Sequence, residues 1–303
     1  MSKVKQNIRY SLALCKIKIA LFSALSTAAG FCVASSTVSA EMVLPILGIF
    51  IIACGSSALN QYQERETDAL MERTRERPLP SGNIQPHQAL LFSLALLASG
   101  LLLVIVTSPP IAAILSLCAV LWYNGVYTYL KRKTAFAVVP GALIGAVPPA
   151  IGWLLSGGDL YDPRLASLCF FFFMWQIPHF WVLLIDHGEE YETAGFPSLA
   201  GIFTRMQLLR ITRHWILATV VSCFFMFLYG LVYTDIVAFL LFAVSGWFVW
   251  QGTRLTGVHE VNERLGHFIF KKINYYMASV IILISIDQLA GSRLSYEMAM
   301  IMQ

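Results

Sequence analysis

The sequence predicts an all-α, polytopic membrane protein: about nine transmembrane helices bundled around a central cavity open to the cytoplasmic side, forming one domain over residues 1–303. Three observations predict it. Hydrophobic residues make up 57% of the chain and charged residues only 13%, against about a quarter charged in soluble domains. Apolar runs near the ~20 residues that a hydrocarbon layer of ~30 Å requires recur along the whole sequence. The polar stretches between them alternate, long and charged after even-numbered runs and short after odd-numbered ones.

The first run, residues 19–38, follows a basic tail and ends beside Val38, Ser39 and Ala40, as a cleavable signal would. A signal peptide's apolar region is shorter, roughly 7–15 residues, so this run reads as a span. The second, 43–60, continues without a break into a polar stretch from Asn60 to Asp68. The third is 89–106. The fourth, 111–130, stops at Lys131, Arg132 and Lys133, and the fifth, 137–155, is interrupted by Pro140, Gly141, Pro148 and Pro149. The sixth, 165–185, carries Pro178 and His179 about 10 Å inside its end. The seventh and eighth, 215–233 and 236–250, are separated by a short turn, the eighth being the shortest, and 273–289 completes the set.

All of the 21 basic residues except Arg164 and Arg293 fall in the amino-terminal tail or after an even-numbered run. The positive-inside rule then places the amino terminus and the long loops in the cytoplasm. Net charge of +4 reports this topology and gives no reason to expect nucleic-acid binding. A tail whose one arginine is Arg9, without an Arg/Ser-rich presequence, reads as that of a bacterial inner-membrane protein. The six cysteines are scattered through or beside apolar runs with no close pair, which argues against zinc, iron–sulfur clusters and a disulfide framework.

Two polar segments carry chemistry. If the second helix runs on past its apolar part, Asn60, Glu64 and Asp68 share one face at i, i+4 and i+8. That stripe offers only oxygen donors, the set a hard cation such as Mg2+ takes while keeping waters and substrate phosphate oxygens. Arg73 and Arg77 follow one turn apart, and guanidinium suits forked contact with phosphate. Acids for a metal and arginines for phosphate describe a metal–diphosphate clamp. The same charges also suit a solvated juxtamembrane helix in which they neutralise one another, and this segment alone leaves both readings open. A second acid-rich stretch, with Asp186, Glu189, Glu190 and Glu192, follows the sixth run and echoes the first, as in a protein of two related halves facing a shared cavity.

The strings from Asn60 to Asp68, Met71 to Thr74, Arg77 to Leu79, Gly145 and Ala146 with Pro148, Pro149, Gly152 and Trp153, Trp175 and Gln176 with Pro178 to Phe180, and Tyr191 with Ala194, Gly195 and Pro197 together form a pattern. In that pattern the chain resembles the intramembrane UbiA-type prenyltransferases, and among them the branch that farnesylates haem. The strings cover about half of the sequence, and the nine-run topology extends the match to nearly all of it.

The resemblance implies a Mg2+-dependent enzyme that transfers the farnesyl group of farnesyl diphosphate to a vinyl group of haem b, giving haem O for haem–copper oxidases. Carried over, Asn60, Glu64 and Asp68 form the first metal motif, and Glu190 with Tyr191 the second. Arg73, Arg77, Lys131 and Arg132 face the diphosphate, and His179 and Trp175 face the acceptor. Tyr123, Tyr127, Phe180 and Trp181 are aromatic candidates for stabilising an allylic cation, and Gly141, Gly145 and Ala146 for a flat porphyrin slot. Glu64, Glu66 and Glu190 stand where the family commonly has aspartate, each adding one methylene between backbone and metal. The resemblance also raises a haem A synthase as a docking partner. Two rivals stand beside this reading. A relative of the same superfamily would prenylate a quinone precursor or another lipid acceptor with the same acids. A transporter would place ionisable groups near the midplane, whereas the acids here gather at the ends of the second and sixth runs.

Overall fold

The computed structural model describes residues 3–254 and 265–301; Arg264, counted above among the basic loop residues, lies outside the described residues, as do the side chains of Lys3, Asp186 and Arg293. The described residues form helices α1 (Lys3–Cys15), α2 (Ile17–Ser35), α3 (Val43–Asp68), α4 (Pro86–Thr107), α5 (Pro110–Val120), α6 (Thr128–Leu130), α7 (Val138–Gly141), α8 (Leu143–Leu155), α9 (Pro163–Thr193), α10 (Arg205–Leu228), α11 (Asp235–Arg254) and α12 (Leu265–Ile301). Among them, nine helical stretches are long and apolar enough to span a bilayer.

Two spans are built from pieces. The fourth runs Pro110–Leu130, with a π-helical segment (Leu121–Tyr127) joining α5 to α6. The fifth runs Ala135–Leu155 and bends at Ala142 between α7 and α8, ahead of Pro148 and Pro149. Inserted wide turns and prolines are the usual causes of such breaks.

Several helices outlast their apolar runs. α3 continues eight residues past Asn60 to Asp68, and α9 extends to Thr193. α10 begins at Arg205, ten residues before the run that predicts it, because Thr204 and Gln207 form a reciprocal capping box. It ends at Leu228, where Gly230 turns the chain at φ 73°. The eighth span, expected to be short, is a full 20 residues from Asp235 to Arg254. In each case a polar overhang is invisible to a count of apolar residues but is a regular helix.

Close backbone approach sets the packing. α2 lies against α8 through Gly30 and Gly152: a Cβ on Gly152 would fall on the Thr27 carbonyl oxygen, and one on Gly30 on the Pro149 carbonyl. α3 and α4 meet similarly through Gly48, Gly55 and Gly100, whose Cβ positions are taken by Val104, Leu97 and Ile52. Small residues at crossings are what allows membrane helices to gain packing energy where lipid is as apolar as they are. The largest core, around Trp153, Phe171, Phe172, Phe248 and Tyr276, joins α8 to α12.

At one end of the bundle the α1 side, the end of α3, the 69–85 loop, Lys131 and the end of α9 come together. Gln61 Nε2 on α3 donates to the carbonyls of Ala13 and Leu14, at 3.0 and 2.9 Å, tying α1 down. The opposite end is closed by an acid. Asp287, 1% exposed, accepts from Tyr233 N (2.6 Å), Thr234 N (3.2 Å) and Thr234 Oγ1 (2.6 Å) at the start of α11.

Candidate active site

The helical overhang of α3 puts Asn60, Glu64 and Asp68 on one face, and all three are buried, at 2%, 6% and 1% exposure. Glu66, on another face, is exposed and pairs with Arg65. The Asn60 amide donates to Thr128 Oγ1 at 3.1 Å, which leaves its carboxamide oxygen turned to Lys16 Nζ at 3.4 Å. Glu64 is in contact with Lys131, and Asp68 Oδ2 accepts from Arg77 Nη1 at 2.6 Å. The Asp68 carbonyl also accepts from Thr74 Oγ1 at 2.7 Å, which folds the 69–77 loop back over the end of α3.

The π-helical segment is the second wall. In its wide turn the Tyr123 carbonyl accepts from both the backbone N–H and, at 2.9 Å, the Oγ1 of Thr128. Tyr123 and Tyr127 stack with ring centroids 5.8 Å apart, and Lys131 Nζ lies 5.3 Å from the Tyr127 centroid. Asn124, between them, is buried and zipped to α3: its amide donates to Ser56 O and Gln63 Oε1, its side-chain oxygen accepts from Ser56 Oγ, and its carbonyl accepts from Gln63 Nε2. This polar lattice fixes the tyrosines relative to the acids. Lys131 is held above the ordinary lysine range: burial opposes its charge, but the Glu64 carboxylate outweighs that. Arg132, next in sequence, is directed elsewhere and donates to the Gln63 carbonyl at 2.8 Å.

The second motif meets the first through the 69–77 loop. Glu190 accepts from the Arg73 backbone N–H at 3.4 Å and faces His187 Nδ1 at 3.4 Å, while Arg73 Nη2 donates to Tyr191 Oη at 3.4 Å. Met71, Ala194 and Phe196 bury against one another beside Tyr191 and hold the loops in register. Gly195, at φ 79°, makes the turn that brings Phe196 N back to the Tyr191 carbonyl. A cleft of about 530 Å³, counting its open mouth, runs from Lys131 and Tyr191 down past Tyr127, Phe180 and Leu183.

The acceptor-side candidates divide. His179 sits among rings, 4.7 Å from Trp175 and 4.5 Å from Phe270, and its Nδ1 is buried with no hydrogen-bond partner among the described residues. Trp175 is committed to packing, its Nε1 donating to the Ile273 carbonyl at 3.0 Å. Trp181 does not line the cleft: it packs in the core behind the cleft residues Ala135, Val138 and Phe180 and meets Trp215 edge-on at 5.6 Å. Two of the small residues expected at a porphyrin slot face the chain itself: a Cβ on Gly141 would meet the Tyr127 ring, and one on Gly145 would meet Gln176 Oε1.

One residue of the site was read in the sequence only as a topological charge. Lys16 separates α1 from α2 in a left-handed conformation, φ 46° and ψ 53°, which turns its amine under Asn60. Burial pulls its ammonium down from the ordinary lysine range to about 8; Arg77 and Lys131 push the same way, and Glu64 and Asp68 oppose them. A lysine between an interfacial and a spanning helix was the only signal, and it is shared with every juxtamembrane lysine.

The donors fit a hard divalent cation. Asn60, Glu64 and Asp68 supply oxygen only, on a rigid helix, in a buried position where a carboxylate needs a cation. Among the described residues no three acids, histidines or cysteines lie close enough together to hold a metal ion by themselves, so Glu64, Asp68 and Glu190 are not gathered into one cage.

Known proteins share the sequence and the fold of this chain. A protoheme IX farnesyltransferase of Geobacter sulfurreducens is 39% identical over 223 residues, covering 74% of this chain and 82% of that protein. One from Legionella pneumophila is 34% identical over 252 residues, covering 81% and 80%. Among solved structures, a digeranylgeranylglyceryl phosphate synthase superposes with a TM-score of 0.74 at 17% identity, covering 93% of this chain and 99% of that one. A UbiA homologue of Archaeoglobus fulgidus bound to GPP and Mg2+ superposes at 0.62 and 16% identity, covering 91% and 99%. The fold is therefore shared across distant sequences. The model of the UbiA prenyltransferase family matches residues 23–270, from the second helix to the start of the last, and the chain belongs to that family.

Proposed function

We propose that this chain is one membrane domain that transfers the farnesyl group of farnesyl diphosphate to a vinyl group of haem b, giving haem O. The reaction takes place on the cytoplasmic side of a bacterial inner membrane and depends on Mg2+. The observation that carries this reading is the buried acid face of α3, with a cation on each carboxylate and the second acid motif docked against it through Arg73. Two relatives named for haem farnesylation, each about as long as this chain, support the choice of substrates.

Asn60, Glu64, Asp68 and Glu190 would hold the metal, which supplies neutralisation of charge on the departing diphosphate. The chain's own residues do the rest. Breaking the allylic carbon–oxygen bond leaves a delocalised cation and a diphosphate anion. Lys131, Arg77 and Arg73 stand at the anion, as electrostatic catalysis at a leaving group requires. Tyr127, stacked on Tyr123, and Phe180 line the cleft together with Lys131, and their ring faces stabilise a cation without capturing it. The vinyl carbon then forms the new carbon–carbon bond, the positive charge moves to the carbon beside the porphyrin ring, and water adds there with loss of a proton. Because vinyl π electrons make the attack, no strong base is needed. His179, with an unpaired buried nitrogen among rings, is the polar contact for the haem.

Membranes holding the protein, given haem b, farnesyl diphosphate and Mg2+, should yield a haem larger by one farnesyl and one hydroxyl group. Prenylation of a quinone precursor or another lipid with haem untouched would keep the family and overturn the acceptor. Docking of a haem A synthase at the product side follows as a proposal, and co-purification of the two from native membranes tests it.

A further inference from the structure

The cations of the site are not equivalent. Lys131 and Arg77 are each committed to a carboxylate of α3. Lys16 is in the same cluster, but its Nζ faces only the neutral carboxamide oxygen of Asn60, at 3.4 Å, and it forms no ion pair among the described residues. The placement is not incidental. Lys16 adopts a left-handed backbone, φ 46°, where a side chain with a Cβ is costly. Such strain persists where neighbours fix it, and here Gln61 holds the preceding carbonyls of Ala13 and Leu14 while Leu14 is packed at 1% exposure.

The charge count of this cluster decides what can enter. Two carboxylates against Lys16, Lys131 and Arg77 leave a net positive charge of one. A bare divalent ion would add two positive charges to a partly buried, already positive cluster, and the carboxylates would have to give up their cations with nothing to receive them. A diphosphate, carrying about three negative charges, has the opposite sign, and its complex with one divalent ion, at about minus one, balances the cluster.

We propose that Lys16 is a further diphosphate-binding residue, a cation of the cluster able to receive the anion before the Lys131 and Arg77 ion pairs open, and that the metal enters only with diphosphate. Glu64 and Asp68 would then hold the metal, and Lys131 and Arg77 would be released from them to phosphate oxygens. This rests on the prenyltransferase reading above, and a binding experiment separates the two.

Purified full-length protein in lipid nanodiscs is titrated with Mn2+ alone, followed by electron paramagnetic resonance, and with Mn2+ plus inorganic pyrophosphate, followed also by calorimetry. For the wild type, Mn2+ should bind at least about tenfold more tightly with pyrophosphate than without it, a difference of about 1.4 kcal/mol. Lys16→Met should weaken pyrophosphate about tenfold or more and leave Mn2+ alone no weaker. Lys16→Arg should restore most of the loss, which also shows that the kink folds, and Lys18→Met, an exposed neighbour, should match the wild type. Pyrophosphate binding unchanged in Lys16→Met overturns the role of Lys16. Mn2+ binding as tight alone as with pyrophosphate overturns joint loading. A wild-type protein that takes no pyrophosphate at any Mn2+ concentration overturns the prenyltransferase reading itself.

Discussion

Asp68→Asn tests the metal site with the least damage to the fold. The carboxylate is 2% exposed and accepts from Arg77 Nη1 at 2.6 Å, while Arg77 keeps 25% of its side chain in solvent. Asparagine keeps the shape and one acceptor oxygen but removes the charge, so Arg77 loses its counter-ion without being trapped. Because the cation can relax towards water, the stability cost should be that of one charged hydrogen bond, about 1.5–3 kcal/mol, rather than the 3–5 kcal/mol of a fully buried broken pair. The loss in turnover should be larger than that. Removing one group that stabilises developing negative charge typically costs about 10²–10³ in rate, or roughly 2.7–4 kcal/mol. Farnesylated haem, measured by mass spectrometry in membranes with equal amounts of protein, reads the second effect, and size-exclusion profiles with thermal shift read the first. A variant within about threefold of wild-type turnover at saturating Mg2+ would refute the assignment of Asp68 to the metal. Asp68→Ala is the harsher form and should also lose measurable stability, since the residue is buried and bonded rather than free at a hydrated helix end.

Other outcomes follow from the same geometry. Chelation by EDTA should abolish turnover in membranes, and Mg2+ should restore it. Cysteine in place of the exposed Glu66 should react with a membrane-impermeant maleimide in inverted vesicles and stay unlabelled in intact cells, as a cytoplasmic end of α3 requires. Gly152→Val should destabilise by about 1–3 kcal/mol or prevent accumulation, because its first carbon already falls on the Thr27 carbonyl; a normal melting temperature would mean that α2 and α8 do not approach as described. Asp287→Ala should cost about 1–3 kcal/mol by leaving the Tyr233 and Thr234 amides without an acceptor, with turnover per folded molecule unchanged.

The fold was legible because bilayer thickness dictates helix length, and the nine apolar runs reappear as nine spans among the described residues. The Asn60, Glu64 and Asp68 face was legible for a related reason: helical periodicity continues past the apolar core, so the spacing of three polar residues survives as geometry. What was hidden depends on departures from that periodicity. Of Lys131, Arg132 and Lys133, only Lys131 reaches Glu64, and which one does so is set by the wide turn at Leu121–Tyr127, which shifts the register of everything after it. Lys16 was hidden by a left-handed residue that no apolar count reveals. Asp287 lies inside the last apolar run, and nothing in its spacing shows that it caps a helix some fifty residues away in sequence. That Gly141 and Gly145 make room for the chain's own Tyr127 and Gln176 was not legible either, since spacing does not say what a glycine faces.

The distribution of charge between rigid and looped elements explains how one end of a greasy bundle can hold so many ions. The α3 acids are fixed on a helix whose backbone is satisfied internally, so their positions survive whatever their partners do. Their cations come from elsewhere: a helix break at Lys16, the end of the π-helical span at Lys131, and the 69–85 loop at Arg77. Without substrate, Lys131 and Arg77 offset the charge of the buried carboxylates. With substrate, the same groups are those an anion needs. Under the proposed function, the diphosphate contacts would be held as ion pairs, and a preference for an anion paired with a metal would follow from the need to replace both partners of each pair at once. Such a site should tolerate exchange of one basic group for another far better than loss of either charge. Lys131→Arg should therefore retain more activity than Lys131→Gln, although the two side chains differ in shape. Equal loss in the two variants would show that fit, rather than charge, governs that position.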